Sequence, residues 1–96
     1  MERHVNHRGW ILLRSIESGD GSLCVDLFED PEGGFGFEHL RSDPEDGGRW
    51  SSIGGYGGAR YETPSEAADA ALGAVVWLAD AAARRSLESW RSDLGT

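Results

Sequence analysis

Hydrophobic and polar residues alternate in two short segments near the start of the chain. Residues 10–16 and 22–29 are rich in β-branched, aromatic and leucine side chains, and residues 17–21 between them are glycine-rich and polar. This pattern predicts a β-hairpin. In the second segment three apolar residues share one face, which we expect to pack against the core: Leu23, Val25 and Leu27.

Two acidic turns that contain proline and glycine divide the next part of the chain. Residues 30–33 (Asp-Pro-Glu-Gly) precede a predicted third strand over residues 34–41, whose two phenylalanines point the same way. Residues 43–48 form the second turn. Residues 49–53 after it are either a short fourth strand or an ordered loop.

The second half of the chain has the pattern of an amphipathic helix. Thr63, Pro64 and Glu66 supply an N-cap hydroxyl, a proline at the first helical position and a glutamate three residues after the cap. Apolar residues then recur at three- and four-residue steps: Ala68, Leu72, Val75, Val76, Ala79, Ala83, Leu87, Trp90 and Leu94. An unbroken helix over residues 64–94 would be about 46 Å long, whereas a seven-residue strand spans about 23 Å.

A sheet of such strands cannot cover a helix of that length. We therefore expect the helix either to break near residue 84 or to project, so that Leu87, Trp90 and Leu94 pack against a second copy in a homodimer. The predicted fold is α+β, a three- or four-stranded antiparallel sheet packed against one long C-terminal helix in the order β-β-β-α.

Length and composition predict a single domain over residues 1–96, because a chain of 96 residues encloses one modest core. Cys24 is the single cysteine and cannot form an internal disulfide, which suits a reducing compartment. The apolar stretches are too short for a signal peptide or a membrane helix. We expect a cytoplasmic protein, of the producing cell or of a host it enters, with no membrane partner.

Negative charge is concentrated in one segment. The chain has 17 acidic residues against nine arginines and no lysine, a net charge of −8, and residues 17–46 alone carry −9. The electrostatic field of such an acidic segment repels nucleic acid and attracts basic protein surfaces. We therefore expect no direct nucleic-acid binding and a basic protein or nucleoprotein complex as partner. The alternative is that the acidic turns only keep the domain soluble.

Signatures of catalysis and metal binding are weak. The glycine-rich residues 54–58 lack a following Gly-Lys-Ser/Thr, so we expect a flexible connection or a contact loop centred on Tyr56. The three histidines lack metal-site spacing, and Cys24 has no neighbouring cation to activate it. We predict no catalytic, cofactor or metal residues and no enzymatic activity.

Partner contacts are predicted from the acidic turns and from the surplus of aromatic residues. Four tryptophans exceed what so small a core needs, and exposed Trp and Arg often anchor interfaces. The candidate contact residues are Asp30, Glu32, Asp43, Glu45, Asp46, Trp50, Tyr56, Trp90 and Arg91.

Residues 60–67 (Arg-Tyr-Glu-Thr-Pro-Ser-Glu-Ala), followed by Ala71, residues 75–76 (Val-Val) and residues 77–78 (Trp-Leu), resemble the helix start and trailing Trp-Leu of HicB-type antitoxins. This resemblance implies a β-β-β-α domain that neutralises a small basic toxin. By type alone, the chain is also similar to small acidic inhibitors of phages and plasmids, including anti-CRISPR proteins. We predict a non-catalytic inhibitor that docks on the basic, nucleic-acid-binding surface of a partner. The alternatives are a HicB-like antitoxin and a small enzyme using the glycine-rich loop.

Overall fold

The strands form one antiparallel sheet in which sequence order and spatial order agree. The computed structural model describes residues 9–94. The strands are β1 (Ile11–Glu17), β2 (Leu23–Glu29), β3 (Phe35–Asp43) and β4 (Arg49–Ile53). Two helices follow, α1 (Pro64–Ala74) and α2 (Ala81–Leu94), and short 3₁₀ turns lie at Pro44–Asp46, Tyr56–Gly58 and Val76–Ala79. The α+β class is confirmed, and residues 49–53 form a strand.

The first two turns form where glycine and proline predict them. In the β1–β2 turn the Gly21 N–H donates to the Ser18 carbonyl at 2.9 Å, and in the β2–β3 turn the Gly33 N–H donates to the Asp30 carbonyl at 2.9 Å. Gly33 and Gly34 have φ angles of 134° and 89°. Residues with a Cβ rarely adopt such angles, so this turn requires glycine.

One face of the sheet, the helix side, packs against α1 and α2. Alternate strand residues meet small and apolar helix residues there, in a core made of Ile16, Val25, Leu27, Phe37, Ala67, Ala68, Ala71, Val75, Leu78, Ala83 and Leu87. The predicted core face of β2 is confirmed for Val25 and Leu27, and Leu23 is half-buried. The alanines of α1 let the helix approach the sheet closely.

The first helix begins as its sequence predicts. Thr63 Oγ1 accepts a hydrogen bond from the Glu66 N–H at 3.1 Å, and Pro64 is the first helical residue. The hydroxyl satisfies one of the backbone N–H groups that have no acceptor within the first turn.

The prediction of one long helix is wrong. α1 ends at Ala74, Val75 is extended (φ −108°, ψ 103°), and a 3₁₀ turn precedes α2. The break therefore lies before residue 80, not near residue 84. Val76, which the periodicity places in the buried stripe, is 88% exposed because it lies in this turn.

The second helix folds back on the first. Arg91 forms an ion pair with Asp69 at 2.9 Å and donates to Ser65 Oγ at 2.9 Å, so the end of α2 lies beside the start of α1. Leu87 is buried and Trp90 packs against the same core. The projecting half on which the predicted homodimer depends is therefore not found. No helix within the described range is long and apolar enough to cross a bilayer.

Candidate functional site

The sheet face opposite the helices, here the second face, carries a groove with a volume of about 260 Å³. Cross-strand pairing puts its side chains on one face, since Ser15 lies opposite Asp26, and Asp26 lies opposite Glu38. All four strands contribute to the groove, which is lined by Leu12, Ser15, Glu17, Cys24, Asp26, Glu38, Leu40 and Trp50.

Residues before β1 and after β4 cover one end of the second face. The Trp10 ring stacks on Phe28 with centroids 4.0 Å apart. The Arg60 guanidinium lies 4.8 Å from the Trp10 centroid, and its Nε donates to the Asp30 carboxylate at 2.9 Å. Gly36 lies opposite Phe28, and a Cβ there would approach Phe28 Cζ to 2.6 Å. The stacked rings of Trp10 and Phe28, together with the Arg60 guanidinium, therefore cover this end of the second face.

Three carboxylates line the groove. Glu38 is only 1% exposed, and Asp26 accepts hydrogen bonds from Ser15 Oγ at 2.8 Å and from the Cys24 thiol at 3.2 Å. Glu17 supplies the third, from the end of β1. In residues 9–94, no group of three or more His, Cys, Asp or Glu is arranged to hold a metal ion. The three carboxylates come from three neighbouring strands, and those of Asp26 and Glu38 belong to cross-strand partners.

Apolar side chains form the other walls of the groove. Leu12 and Leu40 come from β1 and β3, and Trp50 on β4 is 41% exposed. Apolar walls beside carboxylates suit a ligand that has an apolar stem and a positively charged end.

Cys24 is a structural residue of the groove. Burial raises the pKa of its thiol to about 12, although the hydrogen bond with Ser15 Oγ at 3.0 Å acts in the opposite direction. A thiol with such a pKa stays protonated at neutral pH and is a poor nucleophile. Cys24 is buried, so its role is to pack within the sheet.

The acidic residues predicted as contacts lie at two opposite ends of the sheet. Asp30 and Glu32 belong to the β2–β3 turn, whereas Asp43 is the last residue of β3 and Glu45 follows it in the 3₁₀ turn. A strand of this length separates the two pairs by roughly 25 Å. Asp46 is in the same 3₁₀ turn as Glu45, and its side chain is outside the described part of the structure. These residues do not form one contact surface.

Two of these carboxylates stabilise their own turns. Asp30 accepts a backbone hydrogen bond from the Glu32 N–H, which lowers its pKa below the ordinary 3.8, and the bond to Arg60 lowers it further. Asp43 accepts from the Glu45 N–H at 3.0 Å and so caps the 3₁₀ turn. Glu32 and Glu45 are exposed.

Among the other candidates, Trp50 alone lines the groove. Tyr56 stacks on Phe37 with ring centroids 5.2 Å apart, and Trp90 packs on the helix-side core. Arg91 joins the two helices. Tyr56, Trp90 and Arg91 therefore have roles within the fold.

Glu17, Asp26 and Glu38 are not among the residues predicted from the sequence as contacts. These three residues share the second face on three neighbouring strands. That shared position is recognisable only once the strand register is known. No protein-family model, no curated protein and no solved structure matches the chain.

Proposed function

We propose that the protein is a non-catalytic protein-binding module that inhibits its partner by docking on a basic, nucleic-acid-binding surface. The observation that supports this proposal is the groove, where three carboxylates lie beside apolar walls on a chain of net charge −8. Moving a carboxylate out of water is costly unless a cationic group takes the place of the lost water. A basic protein surface is therefore the complementary partner.

The proposed contact surface is the groove together with the 3₁₀ turn next to Trp50. In the β3–β4 pairing Trp50 lies opposite Ser42 and next to Arg49, which lies opposite Asp43. Trp50 combines a large apolar ring with partial exposure, which is typical of a residue that anchors an interface. Asp30 and Glu32, at the far end of the sheet, lie outside this surface.

The glycine-rich loop supports the non-catalytic proposal because its residues pack on the sheet. Tyr56 stacks on Phe37. Gly57 is buried, and a Cβ there would lie 3.1 Å from Glu38 Cγ. Such packing gives the loop a structural role, which leaves the small-enzyme alternative with less support than the inhibitor.

Partner capture with paired variants tests the proposal. Immobilised protein is exposed to a nuclease-treated lysate of the source organism or its host, and the retained proteins are eluted with salt or with added DNA or RNA. Asp26→Asn removes one charge from the groove, and Glu32→Gln removes one charge from the far end. We expect wild type and Glu32→Gln to retain a protein that nucleic acid displaces, and Asp26→Asn to retain much less.

Three results would contradict parts of this proposal. Equal retention by both variants would rule out the groove as the contact surface. A partner that nucleic acid does not displace would rule out the inhibitor mechanism. If the retained partner is a small basic toxin, the HicB-like antitoxin replaces the inhibitor as the function.

A further inference from the structure

The size of the groove limits what can occupy it. Its volume of about 260 Å³ is below the roughly 300–1,000 Å³ of sites that enclose a drug-sized ligand. Leu12 and Leu40 provide apolar walls, whereas Asp26 and Glu38 lie directly opposite each other across β2 and β3. A slim apolar stem that ends in a cation matches both features. Among protein side chains, arginine and lysine have this form.

The same sheet face already holds an arginine in such a setting. The Arg60 guanidinium lies 4.8 Å from the Trp10 ring centroid and 5.0 Å from that of Phe28, and its Nε donates to Asp30 Oδ2 at 2.9 Å. An aromatic ring and a carboxylate thus hold a guanidinium at one end of this face. The groove offers the same two components, a tryptophan ring and carboxylates.

Trp50 favours arginine over lysine as the occupant. A planar guanidinium stacks on an indole ring and directs several N–H donors at carboxylates, whereas an ammonium group is a compact and strongly hydrated charge. None of the arginines within residues 9–94 lines the groove. We propose that the groove binds one arginine side chain of the partner protein, with its stem against the apolar walls and its guanidinium near Leu40, which lies between Trp50 and the Asp26–Glu38 pair. This inference rests on the proposed function and names the group that the partner supplies.

Amide derivatives of single amino acids test this site without the partner. N-acetylarginine amide, N-acetyllysine amide and the uncharged N-acetylcitrulline amide are titrated into the full chain at constant ionic strength and followed by two-dimensional NMR. We expect the arginine derivative to shift the Trp50 indole N–H and the backbone amides of Asp26 and Glu38, with a Kd about two- to five-fold lower than that of the lysine derivative. We expect the citrulline derivative to leave these signals unchanged. Equal Kd values for arginine and lysine would overturn the proposal.

Matched variants separate the groove from the overall charge. Asp26→Asn and Trp50→Leu change the groove, and Glu32→Gln removes the same charge as Asp26→Asn from the other end of the sheet. We expect Asp26→Asn to weaken arginine binding several-fold, Trp50→Leu to abolish the preference over lysine, and Glu32→Gln to change neither. The amide spectrum of each variant shows whether it is folded. Equal weakening of arginine binding by Asp26→Asn and Glu32→Gln would mean attraction to net charge alone, and the site would be refuted.

Comparison with partner capture distinguishes failure of this inference from failure of the proposed function. An arginine preference in the groove, together with undiminished capture by Asp26→Asn, supports the site and refutes its role in the proposed function. Loss of capture by Asp26→Asn without any arginine preference supports the proposed function and refutes the arginine site.

Discussion

Replacing Leu87 with alanine tests whether the second helix folds back on its own chain. Leu87 has 0% of its surface exposed and belongs to the core under the helix side of the sheet. Truncating a fully buried leucine costs about 2.7–5 kcal/mol, more where the cavity stays open. Ala83, one helical turn earlier, is too short to fill the cavity that Leu87→Ala would leave. We expect a loss of about 3–4 kcal/mol, from a total that for this length is roughly 5–14 kcal/mol.

The control is Val76→Ala. A continuous helix would place Val76 and Leu87 in the same buried stripe, but the structure leaves Val76 88% exposed in the 3₁₀ turn. We expect Val76→Ala to change the free energy of unfolding by no more than about 0.5 kcal/mol. A projecting, dimeric helix would instead make Leu87→Ala change the molecular mass and the dependence of stability on protein concentration.

Urea unfolding of both variants, followed by circular dichroism at several protein concentrations, gives the two free energies, and light scattering gives the mass. A loss of 3 kcal/mol would also lower Tm by roughly 12–24 °C for a domain of this size. The folded-back helix would be refuted by a loss below about 1 kcal/mol for Leu87→Ala, or by an equal loss for Val76→Ala.

Three further predictions concern packing, reactivity and pH. Gly36→Ala should lower stability by about 1–3 kcal/mol, because its Cβ would lie 2.6 Å from Phe28 Cζ, and an unchanged thermal midpoint would contradict this. Cys24 should react with a disulfide reagent far more slowly in native protein than in urea, since burial raises its thiol pKa to about 12, and equal rates would show that it is accessible. Burial lowers the pKa of His39 below 6.5, and its neutral Nε2 accepts the Trp77 indole N–H at 3.0 Å. The His39 contribution to stability should therefore be complete above pH 6.5 and decline as the pH falls below it. Urea unfolding at several pH values measures this, and His39→Gln should remove that part of the dependence.

The first three strands, the first two turns and the helix start were predictable because their causes are local, whereas the pattern of residues 49–53 fits both a strand and a loop. The position of the helix break was not predictable, because the three- and four-residue spacing continues through the 3₁₀ turn and hides it. The signals that mark it are two adjacent β-branched residues, Val75 and Val76, and Asp80, a residue type that favours N-caps, just before Ala81. The α2 backbone begins there, with the Arg84 N–H donating to the Asp80 carbonyl at 2.9 Å.

The groove was only partly predictable. The sequence predicts one core face of β2, that of Leu23, Val25 and Leu27, but Cys24 and Phe28 on the second face are buried as well. The side chains that cover Phe28 are those of Trp10 and Arg60, which lie far apart along the chain. Alternation within a strand reports which residues share a face, but it carries no information on which distant segment packs there.

The position of α2 over β1 has a consequence for folding kinetics. Each strand pairs with its neighbour along the chain, whereas the Arg14 guanidinium donates to Ser86 Oγ at 2.8 Å across a separation of 72 residues. Closing a long loop costs more entropy than closing a short one, so the four strands should associate in the rate-limiting step and α2 should dock afterwards. Val25→Ala should therefore slow folding, and Leu87→Ala should chiefly accelerate unfolding. We therefore expect α2 to detach first when the native protein opens.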